Sequence, residues 1–160
     1  MFPILMVVTA FLIGGVAATP AITFADQHTL PKCNYLHGGF PASALNVIEP
    51  AAHVPPSLAA LAGVWEGEWH SLVNPDLAPS PSVLSVWGVS DRYAIAVYSF
   101  EGLVRFALPM HLQSDGTLRQ FTFTGPFVWS LSEDRETLHG EILFRYGPAT
   151  ANIDMHRCLP

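Results

Sequence analysis

The sequence contains few charged residues, and basic residues are the scarcer kind. Only 12% of its 160 residues are charged, and one Lys and six Arg face 13 Asp and Glu, for a formal net charge of −6. The basic residues are scattered and form no stripe along any stretch. Electrostatic binding to nucleic-acid phosphates or to anionic lipid is therefore not expected.

Recognised catalytic motifs are also missing. The chain contains no Gly-x-Ser-x-Gly elbow, His-Glu-x-x-His helix, P-loop or dinucleotide fingerprint. A hydrolase triad would have to be assembled from scattered residues, which any chain of this size would permit. We therefore predict a non-enzymatic protein with no cofactor and no metal.

Charged side chains are absent before Asp26, and residues 2–18 are almost entirely apolar. This run ends in small residues near Ala18 and Ala25, which is typical of a secretory signal peptide. An uncleaved membrane anchor is the alternative, because the run is at the short edge of spanning length. We predict a signal peptide at residues 1–25 and a secreted or periplasmic protein, without stable membrane insertion after cleavage.

Cysteine is limited to two residues, Cys33 and Cys158. In an exported chain an even count favours a disulfide, and only this pairing is available. Two free buried thiols are the alternative. The wide spacing between the two residues does not suit a metal site or a Cys-x-x-Cys redox site.

Residues 26–61, here called the wrapping segment, are predicted to be irregular and to lie along the outside of the main domain. The prolines exclude a long helix or a central strand. The apolar content is too high for a free linker. One helical turn, capped by Ser57, is expected to close directly onto the first strand. The prolines are Pro31, Pro41, Pro50, Pro55 and Pro56.

The stretch of residues 61–71 alternates in the manner of a half-buried strand. One parity carries two tryptophans and a glycine, and the other carries two acidic residues and a histidine. The polar parity could hold an acid/base or metal cluster, but a solvated face is the simpler interpretation. The two faces are Trp65, Gly67 and Trp69 against Glu66, Glu68 and His70.

Residues 62–160 are predicted to be an all-β domain. Turn signals divide the stretch up to Cys158 into eight short strands without a helical period between them, which favours an antiparallel up-and-down barrel. The Pro-rich connection at residues 73–82 is the longest in this half, and we expect it to serve as a lid or a contact loop.

Alternation from the tryptophan face predicts the side chains that line the barrel interior. They would contact a small apolar ligand if the barrel has a cavity, whereas a solid core is the alternative. These candidate ligand-binding residues are Trp69, Val97, Phe106, Phe121, Phe123, Trp129 and Phe144.

The pattern resembles the calycin superfamily, in particular small exported bacterial lipocalin-like barrels. The resemblance rests on the helical turn, on Gly63-Val64-Trp65 at the start of the first strand, on eight strands, and on Arg157 in the last strand. It implies that Trp65 lies across one end of the barrel and that Arg157 stacks on its ring.

A second resemblance is to nitrobindin-like haem barrels, which share the Gly-x-Trp-x-Gly pattern and hold haem through a late histidine. His156 lies in the last strand, but alternation points it outward if Met155 and Arg157 point inward. Haem binding is accordingly kept as an alternative only.

These observations predict a non-enzymatic exported barrel that binds a small apolar ligand in its open end or a protein partner on its surface. A secreted enzyme inhibitor is the rival from another class. In that case residues 26–60 would enter the cleft of a target enzyme.

Overall fold

The structure is a computed structural model of the chain. It describes residues 30–36, 39–122, 125–144 and 147–160, without the side chains of residues 104–108 and 122. The predicted signal peptide lies outside the described residues. Within them, no helix is both long enough and apolar enough to cross a membrane.

Eight antiparallel strands form a closed barrel, which confirms the predicted all-β up-and-down architecture. The barrel closes because β1 pairs with both β2 and β8. Two short helices, α1 (Ala42–Leu45) and α2 (Pro56–Ala59), precede it. The strands are β1 (Gly63–Ser71), β2 (Ser80–Val89), β3 (Tyr93–Phe100), β4 (Leu103–Leu112), β5 (Leu118–Thr122), β6 (Gly125–Leu131), β7 (Thr137–Leu143) and β8 (Ala149–Cys158).

The turn between β3 and β4 defines where β3 ends and β4 begins. Glu101 and Gly102 form the two-residue turn, with φ angles of 49° and 75°. Positive φ at both central positions matches the right-handed twist of the two strands, and glycine adopts it without steric cost. Both strands therefore begin and end where the sequence predicts.

The up-and-down topology gives the barrel two different ends. The loop end carries the β1–β2, β3–β4, β5–β6 and β7–β8 connections, and the helix end carries the other three. Helix α2 closes the helix end, where Val54, Leu58 and Leu61 join the interior core. Pro55 precedes this helix without a side-chain cap, so the prediction of Ser57 as its cap is wrong.

Trp65 and Arg157 seal the helix end as the resemblance implies. The indole of Trp65 is fully buried and donates to the Leu61 carbonyl at 2.9 Å. The guanidinium of Arg157 lies 4.3 Å from the centre of that ring and donates to the Ala62 carbonyl at 2.8 Å. Burial lowers the pKa of Arg157 to about 10, which leaves it charged near neutral pH.

Aromatic rings from opposite walls meet inside the barrel. Trp69 on β1 lies 5.6 Å from Phe127 and 5.9 Å from Trp129, both on β6, and Tyr98 on β3 lies 6.0 Å from Phe127. Gly140 gives Trp129 its room, since a Cβ there would lie 2.6 Å from the indole. At this level the described interior is filled by side chains.

The segment before α2 packs on the outer wall, as predicted. Phe40 and Ala44 are buried in a second apolar cluster with Val64, Val83 and Val97, which project outward from the barrel strands. A disulfide between Cys33 and Cys158, confirmed here, ties the segment to the end of β8. A parallel bridge between residues 32 and 159 lies beside it.

Candidate binding surfaces

The structure places only some of the predicted interior residues inside. Trp69 and Trp129 belong to the interior core. Val97 is buried on the outer wall, so its interior placement is wrong. Phe121 and Phe144 are each 53% exposed, and their interior placement is wrong as well. The side chain of Phe106 and the whole of Phe123 lie outside the described part of the chain.

These errors have local causes. β3 is apolar on both faces, and its small alanines, Ala94 and Ala96, face the large interior rings. In β5, Leu118 is buried in the interior core. Phe121 is three residues further along the strand, so its side chain projects to the opposite, outer face. Phe144 follows the last residue of β7 and no longer shares its alternation.

The interior holds a short polar chain. The Trp69 indole donates to the Tyr98 hydroxyl at 2.6 Å, and that hydroxyl lies 3.2 Å from Ser82 Oγ. The Nε1 atom of Trp129 is buried and has no hydrogen-bond partner among the residues that the structure describes. A buried donor without a partner is costly, and it marks a point where an acceptor would be favoured.

The loop end presents a rim of exposed apolar side chains, here called the apolar rim. Each of its four connections carries such a residue or adjoins one, and Val73, Leu77 and Leu103 are 73%, 59% and 61% exposed. Six of the eight large apolar side chains found exposed among the described residues lie here. They are Leu72, Val73, Leu77, Leu103, Phe121 and Phe144.

The helix end is charged by contrast. Its three turns carry seven charged residues, at positions 91, 92, 115 and 133–136. Hydrogen bonds from Thr117 lower the pKa of Asp115, and those from Ser132 and the Glu136 amide lower the pKa of Asp134. The two ends of the barrel therefore differ in polarity. The turns at the helix end are charged, and the loop end carries the apolar rim.

A polar groove of about 740 Å³ runs along the outer face of β1 and β8, and we call it the β1–β8 groove. Tyr35 and Glu68 line one side, and Asp154 and His156 line the other. The Tyr35 hydroxyl donates to Glu68 Oε1 at 2.6 Å, and this bond raises the pKa of Tyr35.

Glu66 corrects the prediction of a solvated face. It is buried and accepts hydrogen bonds from the Asn34 amide, the Asn34 side chain and the Tyr35 amide, at 2.6, 2.9 and 3.0 Å. Its carboxylate thus fastens the wrapping segment to β1. It also lies within 4.8 Å of the sulfurs of Cys33 and Cys158, but sulfurs joined in a disulfide offer no thiolate to a metal.

His156 lies exposed on the outer face, while Met155 is buried in the interior core. This confirms the orientation expected from alternation. The residue available for an axial haem ligand in the last strand therefore points away from the barrel interior.

The chain matches no family model, and searches of curated proteins and of solved structures also return no significant match. Function must therefore be argued from the surfaces themselves. Sequence reasoning missed the apolar rim because its residues are spread over four connections, and only the antiparallel topology brings them to one end. It missed Asp154 as the groove partner of Glu68 because that pairing depends on the β1–β8 register.

Proposed function

We propose that the protein is an exported, non-enzymatic binding protein with a calycin-like barrel, and that it binds a protein partner through the apolar rim. The apolar rim itself carries the proposal, because exposed apolar side chains gathered at one end of a protein mark an interaction site, whereas single scattered ones do not. The disulfide and the apolar N-terminal run support export.

The chemistry of the rim defines the partner. Asp76 and Glu101 are the only charged side chains that the structure describes in the loop-end connections. Glu101 already accepts a hydrogen bond from Ser80 at 2.9 Å. The described part of the rim therefore favours a partner that presents an apolar surface.

The inhibitor alternative has less support. The described part of the wrapping segment is held by a disulfide, by the hydrogen bonds to Glu66 and by burial of Phe40 and Ala44. A segment committed to the barrel wall in this way is not available to enter a target's cleft.

A small ligand is a second candidate, and it is favoured by the buried Trp129 Nε1, which has no partner within the described part of the chain. Such a ligand would be largely apolar, with one acceptor atom to meet the indole N–H. Native mass spectrometry of protein purified from its source compartment tests this directly. A bound small molecule that is lost in Trp129→Phe supports the ligand, and a spectrum without one contradicts it.

The partner proposal is tested with a photo-crosslinking amino acid at position 77 and, as a control, at position 134 of the helix end. We expect an adduct from position 77 only. The recovered partner is then titrated with purified wild-type protein and with the variant Val73→Ser/Leu77→Ser/Leu103→Ser.

We expect the triple variant to bind at least about tenfold more weakly, since residues at the centre of an interface carry most of its affinity. Its melting temperature should be unchanged, because the three side chains are exposed. Adducts from position 134, or wild-type affinity in the triple variant, would contradict the proposal.

A further inference from the structure

The loop end of β4 extends beyond the neighbouring strand β5. In the pairing of these two strands His111 lies opposite Arg119. Continued in the same register, β5 reaches only to position 108 of β4, because β5 ends at Thr122 and turns back into β6. Residues 103–107 therefore project past β5 at the loop end, and we call them the β4 overhang.

The β4 overhang is paired along one side. On that side β3 follows it, with Leu103 opposite Phe100 and Arg105 opposite Tyr98. On the other side, no strand in the described part of the chain pairs with it. Five residues span about 16 Å of strand, which is close to the length of an average strand. The overhang is therefore an open sheet edge, although the barrel itself is closed.

The direction of the main-chain groups on this edge follows from the β3–β4 turn. The turn has two residues, so its flanking pair, Phe100 and Leu103, is hydrogen-bonded across the hairpin. Bonded and non-bonded pairs alternate along antiparallel strands. Ser99 and Val104 form the next pair, so the N–H and C=O of Val104 point away from β3 to the open edge.

The sequence of the overhang does little to prevent another chain from pairing there. Natural edge strands are commonly protected by Lys, by Pro or by a bulge. The overhang has a register shift against β3 after Arg105, but its sequence, Leu-Val-Arg-Phe-Ala, contains neither Lys nor Pro. A second copy of this chain is disfavoured, because pairing along the whole overhang about a two-fold axis sets the two Arg105 residues opposite each other. The edge therefore favours a different chain.

We propose that the β4 overhang binds an extended, mainly apolar segment of the protein partner by strand addition. This inference rests on the proposed function, because the overhang is continuous with the apolar rim. Leu103 is its first residue, and Phe121, which the register sets opposite position 109, lies next to its other end. Main-chain hydrogen bonds supply the affinity in strand addition, and alternate side chains supply the specificity.

The test is titration of the partner recovered by crosslinking at position 77 with the variant Val104→Pro. Proline removes the N–H that points to the open edge and leaves the bonds to β3 in place, and edge positions tolerate it. We expect a melting temperature close to wild type and binding at least about tenfold weaker, because a main-chain acceptor of the partner loses its donor. Val104→Thr is the matched control, since it keeps the amide, and it should bind like wild type.

Amide exchange followed by nuclear magnetic resonance gives a second readout that does not depend on how well the proline variant folds. The Val104 amide should exchange quickly in the free protein and slowly in the complex. Strand addition is overturned, and the apolar rim remains the interface, if the triple rim variant binds weakly while Val104→Pro binds like wild type and the Val104 amide stays unprotected. If the triple rim variant also binds like wild type, both proposals fail. A dimer of the free protein in sedimentation velocity that Val104→Pro abolishes would identify a second copy as the occupant and overturn the proposal.

Discussion

Gly140→Ala tests how completely the barrel interior is filled. The new Cβ would lie 2.6 Å from Trp129 Cζ3, 2.8 Å from Trp129 Cε3 and 2.7 Å from Ile153 Cγ2. Carbon atoms prefer about 3.5–4.0 Å, so two buried side chains would each have to retreat by roughly 1 Å. Trp129 has little freedom to move. Its ring stacks on that of Phe127, with 6.2 Å between the ring centroids, and packs edge to face with Trp69.

Overpacking of this kind costs about 1–3 kcal/mol. In guanidinium unfolding monitored by tryptophan fluorescence, we expect a lower midpoint with an unchanged slope. Gly88→Ala is the matched control, since that strand glycine has open space where a Cβ would go. It should be neutral or more stable by about 0.4–1 kcal/mol. If Gly140→Ala were as stable as wild type, Trp129 would have room to move and the interior would not be solid.

Three further predictions concern what holds the barrel together. Trp65→Ala should destabilise by about 3–5 kcal/mol, and a mild effect in chemical denaturation would contradict its place at the sealed end. Reduction of Cys33–Cys158 should remove on the order of 4–5 kcal/mol and lower the melting temperature, whereas an unchanged melt would show that the cross-link contributes nothing. Glu66→Gln should cost about 1–3 kcal/mol, because an amide cannot match the carboxylate toward the Asn34 donors, and wild-type stability would contradict that role.

Sequence reasoning predicted the barrel well because its signals are local. Alternation in β1 and the Glu101-Gly102 turn are readable from neighbouring residues alone. The stacking of Arg157 on Trp65 came from a family resemblance, and the structure has it. The disulfide followed from the cysteine count in an exported chain.

The candidate surfaces could not be predicted in the same way, because they depend on register and topology. Alternation carried along the chain predicts an inward Phe121, but Leu118 sets the inward side of β5 and leaves Phe121 outside. Alternation in β1 predicts a solvated Glu66, because nothing in its own strand reveals that Asn34 covers it. Asp154 and Glu68 are 86 residues apart, and only closure of the barrel makes them neighbours.

The central claim is that a solid barrel acts through its apolar rim. The most direct test is to compare hydrogen–deuterium exchange of the free protein with that of its complex with the partner identified by photo-crosslinking. We predict slower exchange in residues 72–79 and 101–103 on binding, with no change in the helix-end turns at residues 90–92 and 132–136. Protection confined to the helix-end turns, or to the β1–β8 groove, would contradict the account.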